Sequence, residues 1–371
     1  MERFSDLLKG KFAFGCMRMQ LDANGEVDLD NFRAMVDCYL DAGFNYFDTA
    51  HVYYEGKSER ALKEALTSRY PRESYVLTNK LTSSCFETEA DILPLFQTQL
   101  DACGVDYFDF YLIHSVLEGN YDKYVNCNAF GIVQELKKQG RVKHVGMSFH
   151  DSPEFLDRVL TEHPEIEVVQ IQYNYLDLDD PNVQSQACLD VCKKHDKPVL
   201  VMEPIKGGGL VFLPDAAIET LNALLNEGSP AEIALRFVAE QDQVVMILSG
   251  MATLPMVQEN VAFMKDAKPL SEAAHRAIQE VRKMIRSLKL VECTGCRYCT
   301  EGCPMEINIP GIFRCVNDKI KFPNRPTSHY GWATEKGGKA SDCIECGQCE
   351  DVCPQHLPIR ALLKHAAEQF E

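Results

Sequence analysis

The chain contains the stretch Phe108-Asp109-Phe110-Tyr111-Leu112-Ile113-His114, an aromatic and aliphatic run that ends in an imidazole. Short runs rich in aromatic and β-branched residues are typical of buried strands. Similar runs recur along the first two thirds of the chain. We predict eight strands: Lys11–Phe14, Tyr46–Thr49, Tyr75–Thr78, Phe108–Ile113, Val142–Met147, Val168–Gln172, Pro198–Met202 and Val244–Leu248.

Segments with helical periodicity lie between these strands, among them Asp28–Ala42, Lys57–Thr67, Glu87–Cys103, Val125–Gln139 and Asn182–His195. Eight alternating strand and helix units favour a closed (β/α)8 TIM barrel over an open doubly wound sheet. An open dinucleotide-binding sheet would also need a G-x-G-x-x-G fingerprint, and the run Gly207-Gly208-Gly209 does not match it. The sequence therefore predicts an α/β barrel over residues 1–270.

The composition excludes several classes of protein. The chain has 371 residues and a formal net charge of -17, which disfavours binding to nucleic acid or to an anionic membrane surface. Its hydrophobic content of 46% with 25% charged residues is typical of a globular protein. We find no long uncharged apolar stretch and no signal peptide at the N-terminus, so we expect a cytoplasmic protein without a membrane span.

Polar side chains stand where the second, third and fourth predicted strands end, and this edge of a barrel carries the chemistry. They are Asp48, Lys80 and His114, with Tyr53 five residues after Asp48. Each has an ordinary structural explanation when taken alone. Together they supply what carbonyl reduction requires: Tyr53 as acid, Lys80 to lower its pKa, Asp48 to orient Lys80, and a neutral His114 to donate a hydrogen bond to the carbonyl oxygen.

These residues and their surroundings resemble the aldo/keto reductase family over residues 10 to 265. The segments that carry the resemblance are Asp48–Tyr53, Gly56–Glu59, Thr78–Lys80, Asp106–His114 and Val145–Ser148. The resemblance implies an oxidoreductase in which NAD(P)H lies across the barrel mouth and gives hydride to a small carbonyl substrate, or takes it from an alcohol. It also implies that Tyr53 protonates the carbonyl oxygen.

The resemblance carries the cofactor contacts over only in part. It places them at Met17, Arg18, Asp48, Ser148, Gln170, Met202, Pro204, Ile205, Gly207, Gly250, Met251, Thr253, Glu259 and Asn260. Phe149 stands where the family has an asparagine that holds the carboxamide. The family's cations for the 2′-phosphate fall at Gly250 and Met256, which favours NADH over NADPH, although Lys206 and Arg236 are cations without an assigned place.

The last 79 residues hold nine of the 16 cysteines. Two copies of C-x2-C-x2-C-x3-C-P occur, at Cys293, Cys296, Cys299 and Cys303 and at Cys343, Cys346, Cys349 and Cys353. In bacterial ferredoxins with this spacing, three cysteines bind one cluster and the fourth binds the other. The rule predicts two 4Fe-4S clusters, one on Cys293, Cys296, Cys299 and Cys353, the other on Cys343, Cys346, Cys349 and Cys303.

Zinc and disulfides are the alternatives to iron at these cysteines. Zinc sites typically use two C-x2-C pairs and have no need of the further Cys-Pro, and disulfides do not suit a reducing compartment. Helices are expected after each motif, at Ile309–Asp318 and Pro358–Phe370. We therefore predict a linking helix over 271–288 and a mainly helical, ferredoxin-like iron-sulfur domain over 289–371.

Three hypotheses for the joint function remain open. The chain is an NAD(P)H-dependent carbonyl reductase with structural or sensory clusters, or an electron-transfer module that docks a flavoprotein or ferredoxin. In the third, the barrel is a catalytically inactive scaffold. The complete set of four polar residues argues against the third. The sequence does not identify the substrate or the oligomeric state.

Overall fold

The computed structural model describes residues 6–224, 228–326 and 328–371. Eight parallel strands close into a barrel in chain order, which confirms the predicted (β/α)8 fold. The strands are β1 (Phe12–Gly15), β2 (Tyr46–Asp48), β3 (Val76–Thr82), β4 (Phe108–Val116), β5 (Val142–Phe149), β6 (Val168–Gln172), β7 (Val199–Met202) and β8 (Val244–Gly250).

Ten α-helices are described between the start of β1 and the end of the barrel sequence. They are α1 (Leu29–Asp41), α2 (Lys57–Leu62), α3 (Glu89–Cys103), α4 (Glu118–Asn126), α5 (Ala129–Lys138), α6 (Pro153–Glu162), α7 (Ser185–Lys194), α8 (Asp215–Leu224), α9 (Pro230–Ala239) and α10 (Leu254–Met264). Six further helices follow: α11 (Glu272–Arg286), α12 (Tyr298–Glu301), α13 (Ile309–Lys321), α14 (Tyr330–Ala333), α15 (Gln348–Asp351) and α16 (Ile359–Phe370).

Local sequence sets where several helices begin. The Asp28 carboxylate accepts a hydrogen bond from the Asn31 amide at the start of α1, and Ser152 caps α6 in the same way ahead of Pro153. Proline fits the first helical turn because its missing N–H has no partner there. These caps fix the residue at which α1 and α6 begin after β1 and β5.

The barrel interior is filled by apolar side chains from most of the strands. Tyr46, Phe110, Leu112 and Met246 belong to one fully buried cluster on the inner face. At Gly146 on β5, an added Cβ would lie 2.6 Å from the backbone oxygen of Val168 on β6, so only glycine fits there. The barrel interior is therefore closely packed, and the polar residues Asp48, Lys80 and His114 lie toward the carboxyl ends of the strands.

The predicted helix Val125–Gln139 is wrong in one respect, since two helices occupy this region. Asn128 adopts a φ of +51°, a left-handed conformation that ends α4 and lets α5 start in a new direction. The predicted helix Lys57–Thr67 continues beyond α2 as a π-helical turn over Lys63–Thr67. Strands β3, β4 and β5 extend four, three and two residues past their predicted carboxyl ends, which brings Lys80 and His114 inside strands.

Close contacts divide the chain into two compact units, Met1–Gly207 with Gly228–Glu272 and Gly208–Glu227 with Ala273–Glu371. The second unit thus contains most of α11 and the cysteine-rich tail. Within the described residues, no helix combines the length and the apolar character that crossing a membrane requires.

The tail is a structural repeat with an offset of 50 residues. Helix α12 matches α15 and helix α13 matches α16. The left-handed backbone positions also match: Gly295 with Glu345, Arg297 with Gly347, and Glu306 with His356. Each half contributes to one apolar core, which contains Ile309, Ile312, Phe313, Val316, Cys315, Ile359 and Leu363. Cys315 therefore packs in this core, as expected for a cysteine outside both motifs.

Candidate functional site

A buried ion pair lies at the carboxyl end of the barrel. Lys80 Nζ lies 2.5 Å from Asp48 Oδ1 and donates a second hydrogen bond to the carbonyl oxygen of Thr49 at 2.7 Å. Its third hydrogen bond reaches Tyr53 Oη at 3.3 Å. Lys80 is completely buried, and Asp48 is nearly so. The three ammonium hydrogens are thereby fixed in direction, with one aimed at the phenol oxygen.

The electrostatics of this group differ in part from the sequence expectation. Burial disfavours the charge on Lys80, but the Asp48 carboxylate raises the pKa of Lys80 above its ordinary value. Burial also raises the pKa of Tyr53, and the Lys80 ammonium opposes this rise without reversing it. We had expected a net lowering. The phenol stays protonated at neutral pH because desolvation of a phenolate outweighs one nearby cation.

His114 completes the predicted set of four. Its ring centroid lies 6.1 Å from that of Tyr53. The register between β4 and β5 shifts between Ile113 and Val116, and such a bulge re-aims the side chains around it. Burial, followed by the Lys80 and His150 charges, lowers the pKa of His114 well below its ordinary value. The imidazole is therefore neutral at physiological pH.

Two residues near His114 were missed by the sequence analysis. The Thr82 hydroxyl lies 2.6 Å from His114 Nδ1 and directly opposite it in the register of β3 and β4. Thr82 lies two residues after Lys80 and shares its face of the strand, so the period of two could have indicated it. His150, at the end of β5, has its pKa lowered to about 4 by burial and by the Lys80 charge.

The loop that carries Tyr53 is held by a second buried polar group. Its residues Tyr54, Glu55 and Gly56 all have positive φ. The Glu59 carboxylate is completely buried, lies 2.7 Å from His51 Nδ1 and accepts a hydrogen bond of 2.7 Å from Asn79 Nδ2. Asn79 precedes Lys80, so Glu59 joins the Tyr53 loop to the lysine strand. No spacing rule in the sequence pointed to this pair.

The residues predicted to hold the nicotinamide carboxamide are buried beside the ion pair. Gln170 Nε2 donates a hydrogen bond of 3.1 Å to Asp48 Oδ2, and Ser148 Oγ accepts one of 2.6 Å from the Ser115 amide. Phe149 packs its ring against that of Phe155 with centroids 5.8 Å apart. Phe149, which stands where the family has an asparagine, is thus a core residue. Ser148 and Gln170 lie at the barrel mouth without an asparagine beside them.

The other predicted cofactor residues follow β1, β7 and β8. Met17 and Arg18 come after β1, while Met202 ends β7 and Pro204, Ile205 and Gly207 lie in the loop behind it. Gly250 ends β8, Met251 is buried behind it, Thr253 precedes α10, and Glu259 and Asn260 lie on α10. Asn260 is buried and donates a hydrogen bond of 3.1 Å to Ser249 Oγ, whereas Glu259 is exposed. All these loops lie at the carboxyl ends of the strands.

Arg18 lies against Gly250. A Cβ at residue 250 would lie 2.6 Å from Arg18 Cγ, so the missing side chain leaves room for the arginine stem. The two cations without an assigned place are engaged elsewhere. Lys206 forms an ion pair with the buried Asp177, and Arg236 donates to the backbone oxygens of Lys268 at 2.8 Å and Pro269 at 2.9 Å.

In the tail, one predicted set of four cysteines lines a single pocket. Cys293, Cys296, Cys299 and Cys353 line this pocket together, with Ile309, Phe313 and Ile359 among the apolar walls. The fourth cysteine therefore comes from the other motif, in the arrangement that the spacing predicts. Burial raises the pKa of Cys299 to about 11, and the neighbouring Cys293 adds to the rise.

The second set has the same backbone form. Cys349 is buried and lies within electrostatic range of Cys343 and Cys346, as Cys299 does of Cys293 and Cys296. Over the described ranges, no three His, Cys, Asp or Glu side chains stand in a position to hold a single metal ion. Four thiol donors around one pocket fit a larger inorganic group, and an iron-sulfur cluster is such a group.

Comparison with known families divides the chain in the same way. A model of the aldo/keto reductase family matches residues 11–283, and a model of the 4Fe-4S dicluster domain matches residues 292–357.

Similar proteins cover most of the barrel. An uncharacterized oxidoreductase of Bacillus subtilis is 23% identical over 75% of this chain and 94% of its own length. The NADH-specific methylglyoxal reductase of Escherichia coli is 25% identical over 64% of this chain and 84% of its own. The holo form of an aldo-keto reductase from Bacillus halodurans has a TM-score of 0.61 and 25% identity, and covers 75% of this chain and 93% of its own. A Klebsiella pneumoniae aldo-keto reductase in complex with NADPH has a TM-score of 0.59 and 21% identity, and the match covers 73% of this chain and 90% of that structure's chain.

Proposed function

Since the chain belongs to the aldo/keto reductase family and is an NAD(P)-dependent oxidoreductase, we propose that it reduces a small aldehyde or ketone with Tyr53 as proton donor. The observation that carries the proposal is the position of Lys80 Nζ, 2.5 Å from Asp48 Oδ1 and 3.3 Å from Tyr53 Oη. When bound, a reduced nicotinamide supplies hydride to the carbonyl carbon. The residues of the chain supply the proton and orient the oxygen.

Tyr53 gives its phenolic proton to the carbonyl oxygen as negative charge develops there, and an alcohol results. Lys80 makes this transfer easier because its ammonium, held by Asp48 and Thr49, stabilises the phenolate that remains. His114 is neutral and carries one ring proton. With the Thr82 hydroxyl donating to Nδ1, that proton is on Nε2, where it can donate to the same carbonyl oxygen.

Replacement of Tyr53 tests the assignment, and a neighbouring tyrosine offers a matched control. Tyr53→Phe is expected to lower kcat for NADH-dependent reduction of methylglyoxal or another test aldehyde by at least about 100-fold, the usual contribution of a general acid. Tyr54→Phe removes a hydroxyl whose hydrogen bond of 3.2 Å goes to the Met19 carbonyl, and should leave kcat within about twofold. Equal activity of the two variants would remove Tyr53 from its role.

We also propose that NADH is the preferred cofactor. Lys206 and Arg236 are engaged in internal contacts, and Met256, where the family has a cation, is an exposed apolar side chain. The Escherichia coli relative is named as NADH-specific, which agrees with this preference. We propose that Ser148 and Gln170 hold the carboxamide and that Arg18 faces the phosphates. Fluorescence titration with NADH and NADPH gives both dissociation constants directly.

For the tail we propose two 4Fe-4S clusters, one held by Cys293, Cys296, Cys299 and Cys353 and the other by Cys343, Cys346, Cys349 and Cys303. When bound, such clusters pass single electrons. Protein purified without oxygen should be brown, with about eight iron and eight sulfide per chain. A colourless protein that contains zinc would contradict the proposal.

A second candidate function is electron transfer to a flavoprotein or ferredoxin. The observation that favours it is the exposed second loop, where Cys346 is exposed and its neighbour Ile344 is 61% exposed. The double variant Cys296→Ser with Cys346→Ser separates the two functions. Unchanged aldehyde turnover supports a reductase whose clusters are structural or sensory, and lost turnover or lost coupling to a partner supports electron transfer.

A further inference from the structure

The two cysteine loops of the tail share a backbone but differ in charge. At offset 50, Gly295 matches Glu345 with φ of +73° and +56°, and Arg297 matches Gly347 with φ of +67° and +83°. The first loop therefore carries a cation where the second has none, and the second carries an anion where the first has none. Because the backbones match, the two sites can be compared residue by residue.

The one charged side chain among the residues that line the first site is a cation. Arg297 lines the pocket of Cys293, Cys296, Cys299 and Cys353, and no carboxylate is among the residues that line it. Across residues 6–224, 228–326 and 328–371, the Arg297 guanidinium makes no ion pair with a carboxylate. Its charge therefore acts on whatever the pocket holds.

The surroundings of the second site are negative. Glu345 lies between Cys343 and Cys346, and Glu306 follows Cys303 by three residues, where the first site has His356 after Cys353. One cation is close, because the Arg360 guanidinium carbon lies 4.0 Å from the Cβ position of Gly347. Its charge is already balanced by Glu350 Oε2, which accepts hydrogen bonds of 2.8 and 3.0 Å from it.

This difference has a direct redox consequence. Each one-electron reduction adds a negative charge to a cluster, so a nearby cation favours the reduced form and a nearby anion disfavours it. We propose that the two clusters have unequal midpoint potentials. The cluster on Cys293, Cys296, Cys299 and Cys353 has the higher potential, and the first electron that enters the tail resides there. The inference rests on the proposed ligand sets.

The two matched glycines supply the variants for a test. Arg297→Gly gives the first loop the residue that the second has at position 347, and Glu345→Gly gives the second loop the residue that the first has at 295. Both positions have positive φ, which glycine adopts without strain. Arg297→Lys keeps the charge and serves as the control for the loss of the side chain.

The measurement is a potentiometric titration of the full-length protein, followed by electron paramagnetic resonance with titanium(III) citrate as reductant. We expect two one-electron waves at low ionic strength. Arg297→Gly should lower the upper wave alone, Glu345→Gly should raise the lower wave alone, and Arg297→Lys should move neither. Because both side chains are exposed, added salt should bring the waves closer together.

Several outcomes overturn the inference. The first is a single wave for both clusters in the unaltered protein. The second is an upper wave whose potential does not change in Arg297→Gly. The third is an upper wave whose potential changes in Glu345→Gly. Iron and sulfide analysis of the same samples separates these results from failure of the cluster proposal. About eight iron per chain with equal potentials rejects only the inequality, whereas protein without iron rejects the ligand sets themselves.

Discussion

Thr82 Oγ1 lies 2.6 Å from His114 Nδ1 across the pairing of β3 and β4. The threonine hydroxyl therefore occupies Nδ1, and Nε2 is the ring nitrogen that remains for a substrate oxygen. Thr82→Val keeps the shape of the side chain but removes the hydroxyl. We expect kcat/KM for a test aldehyde to fall about fivefold, since one hydrogen bond of this kind contributes about 1 kcal/mol. Thr82→Ser keeps the hydroxyl and should retain most of the activity. Unchanged activity of Thr82→Val would show that the hydroxyl of Thr82 plays no part.

The buried pair of Lys80 and Asp48 predicts a stability effect that is separate from catalysis. Lys80→Met leaves the Asp48 carboxylate buried without its cation and should lower the free energy of unfolding by about 3–5 kcal/mol. The double variant Lys80→Met with Asp48→Asn should regain much of this loss, although not the activity. Lys57→Met is the control, because its pair with Glu26 is at the surface and contributes about 1 kcal/mol or less. Circular dichroism during denaturation measures all four proteins.

The rate of carbonyl reduction should depend little on pH from about pH 6 to 9. Tyr53 must be protonated to act as the acid, and its raised pKa keeps it so until strongly alkaline pH. The lowered pKa of His114 places its titration below this range. Since the Lys80 charge lowers the pKa of Tyr53, Lys80→Met should move the alkaline limb of the residual activity to higher pH. A limb that stays in place would show that Tyr53 is not the group that titrates.

The pair of His51 and Glu59 predicts a stability term that depends on pH. The hydrogen bond to Glu59 raises the pKa of His51 above its ordinary value. A raised histidine pKa stabilises the fold fully below about pH 6.5, and the contribution is lost as pH rises through the folded-state pKa. His51→Gln should therefore lower Tm more at pH 5.5 than at pH 9. Equal losses of Tm at the two pH values would mean that the charge of His51 plays no part.

Cofactor preference can be changed at one exposed position. Met256 is 48% exposed on α10, where the family resemblance places a cation. Met256→Arg should tighten NADPH binding about tenfold through a bidentate contact with the 2′-phosphate, and leave the Kd for NADH unchanged. Met256→Leu is the control for the loss of methionine. If both nucleotides bind more tightly to Met256→Arg, the gain comes from general attraction and not from the 2′-phosphate.

The fold could be predicted because each strand has a recognisable local sequence pattern. The run that ends in His114 is apolar on both sides except for Asp109, as is typical of a strand inside a ring of helices. The break between α4 and α5 was not predicted, because the left-handed turn at Asn128 depends on a single residue that is also tolerated within helices. Strand ends were set too early at Lys80 and His114, since a polar residue usually indicates the end of a strand, whereas Lys80 is completely buried within β3.

The site was predictable where its residues lie at strand ends, and less predictable where a contact depends on the conformation of a loop. Asp48, Lys80 and Tyr53 meet because strand order fixes their positions. Contacts such as Glu59 with His51, or Arg18 beside Gly250, depend on how loops fold back. The pKa of Tyr53 was expected to fall because the count of nearby charges was visible in the sequence, whereas the depth of burial was not.

The crossing of Cys353 into the pocket of the first motif makes the halves of the tail mutually dependent. With the proposed ligand sets, neither motif completes its own cluster, so loss of the C-terminal 20 residues would remove a ligand from the upstream site and leave the four cysteines of the other set in the chain. A chain that ends before Cys353 would therefore have an incomplete ligand set at the first cluster, although all four cysteines of the first motif are present.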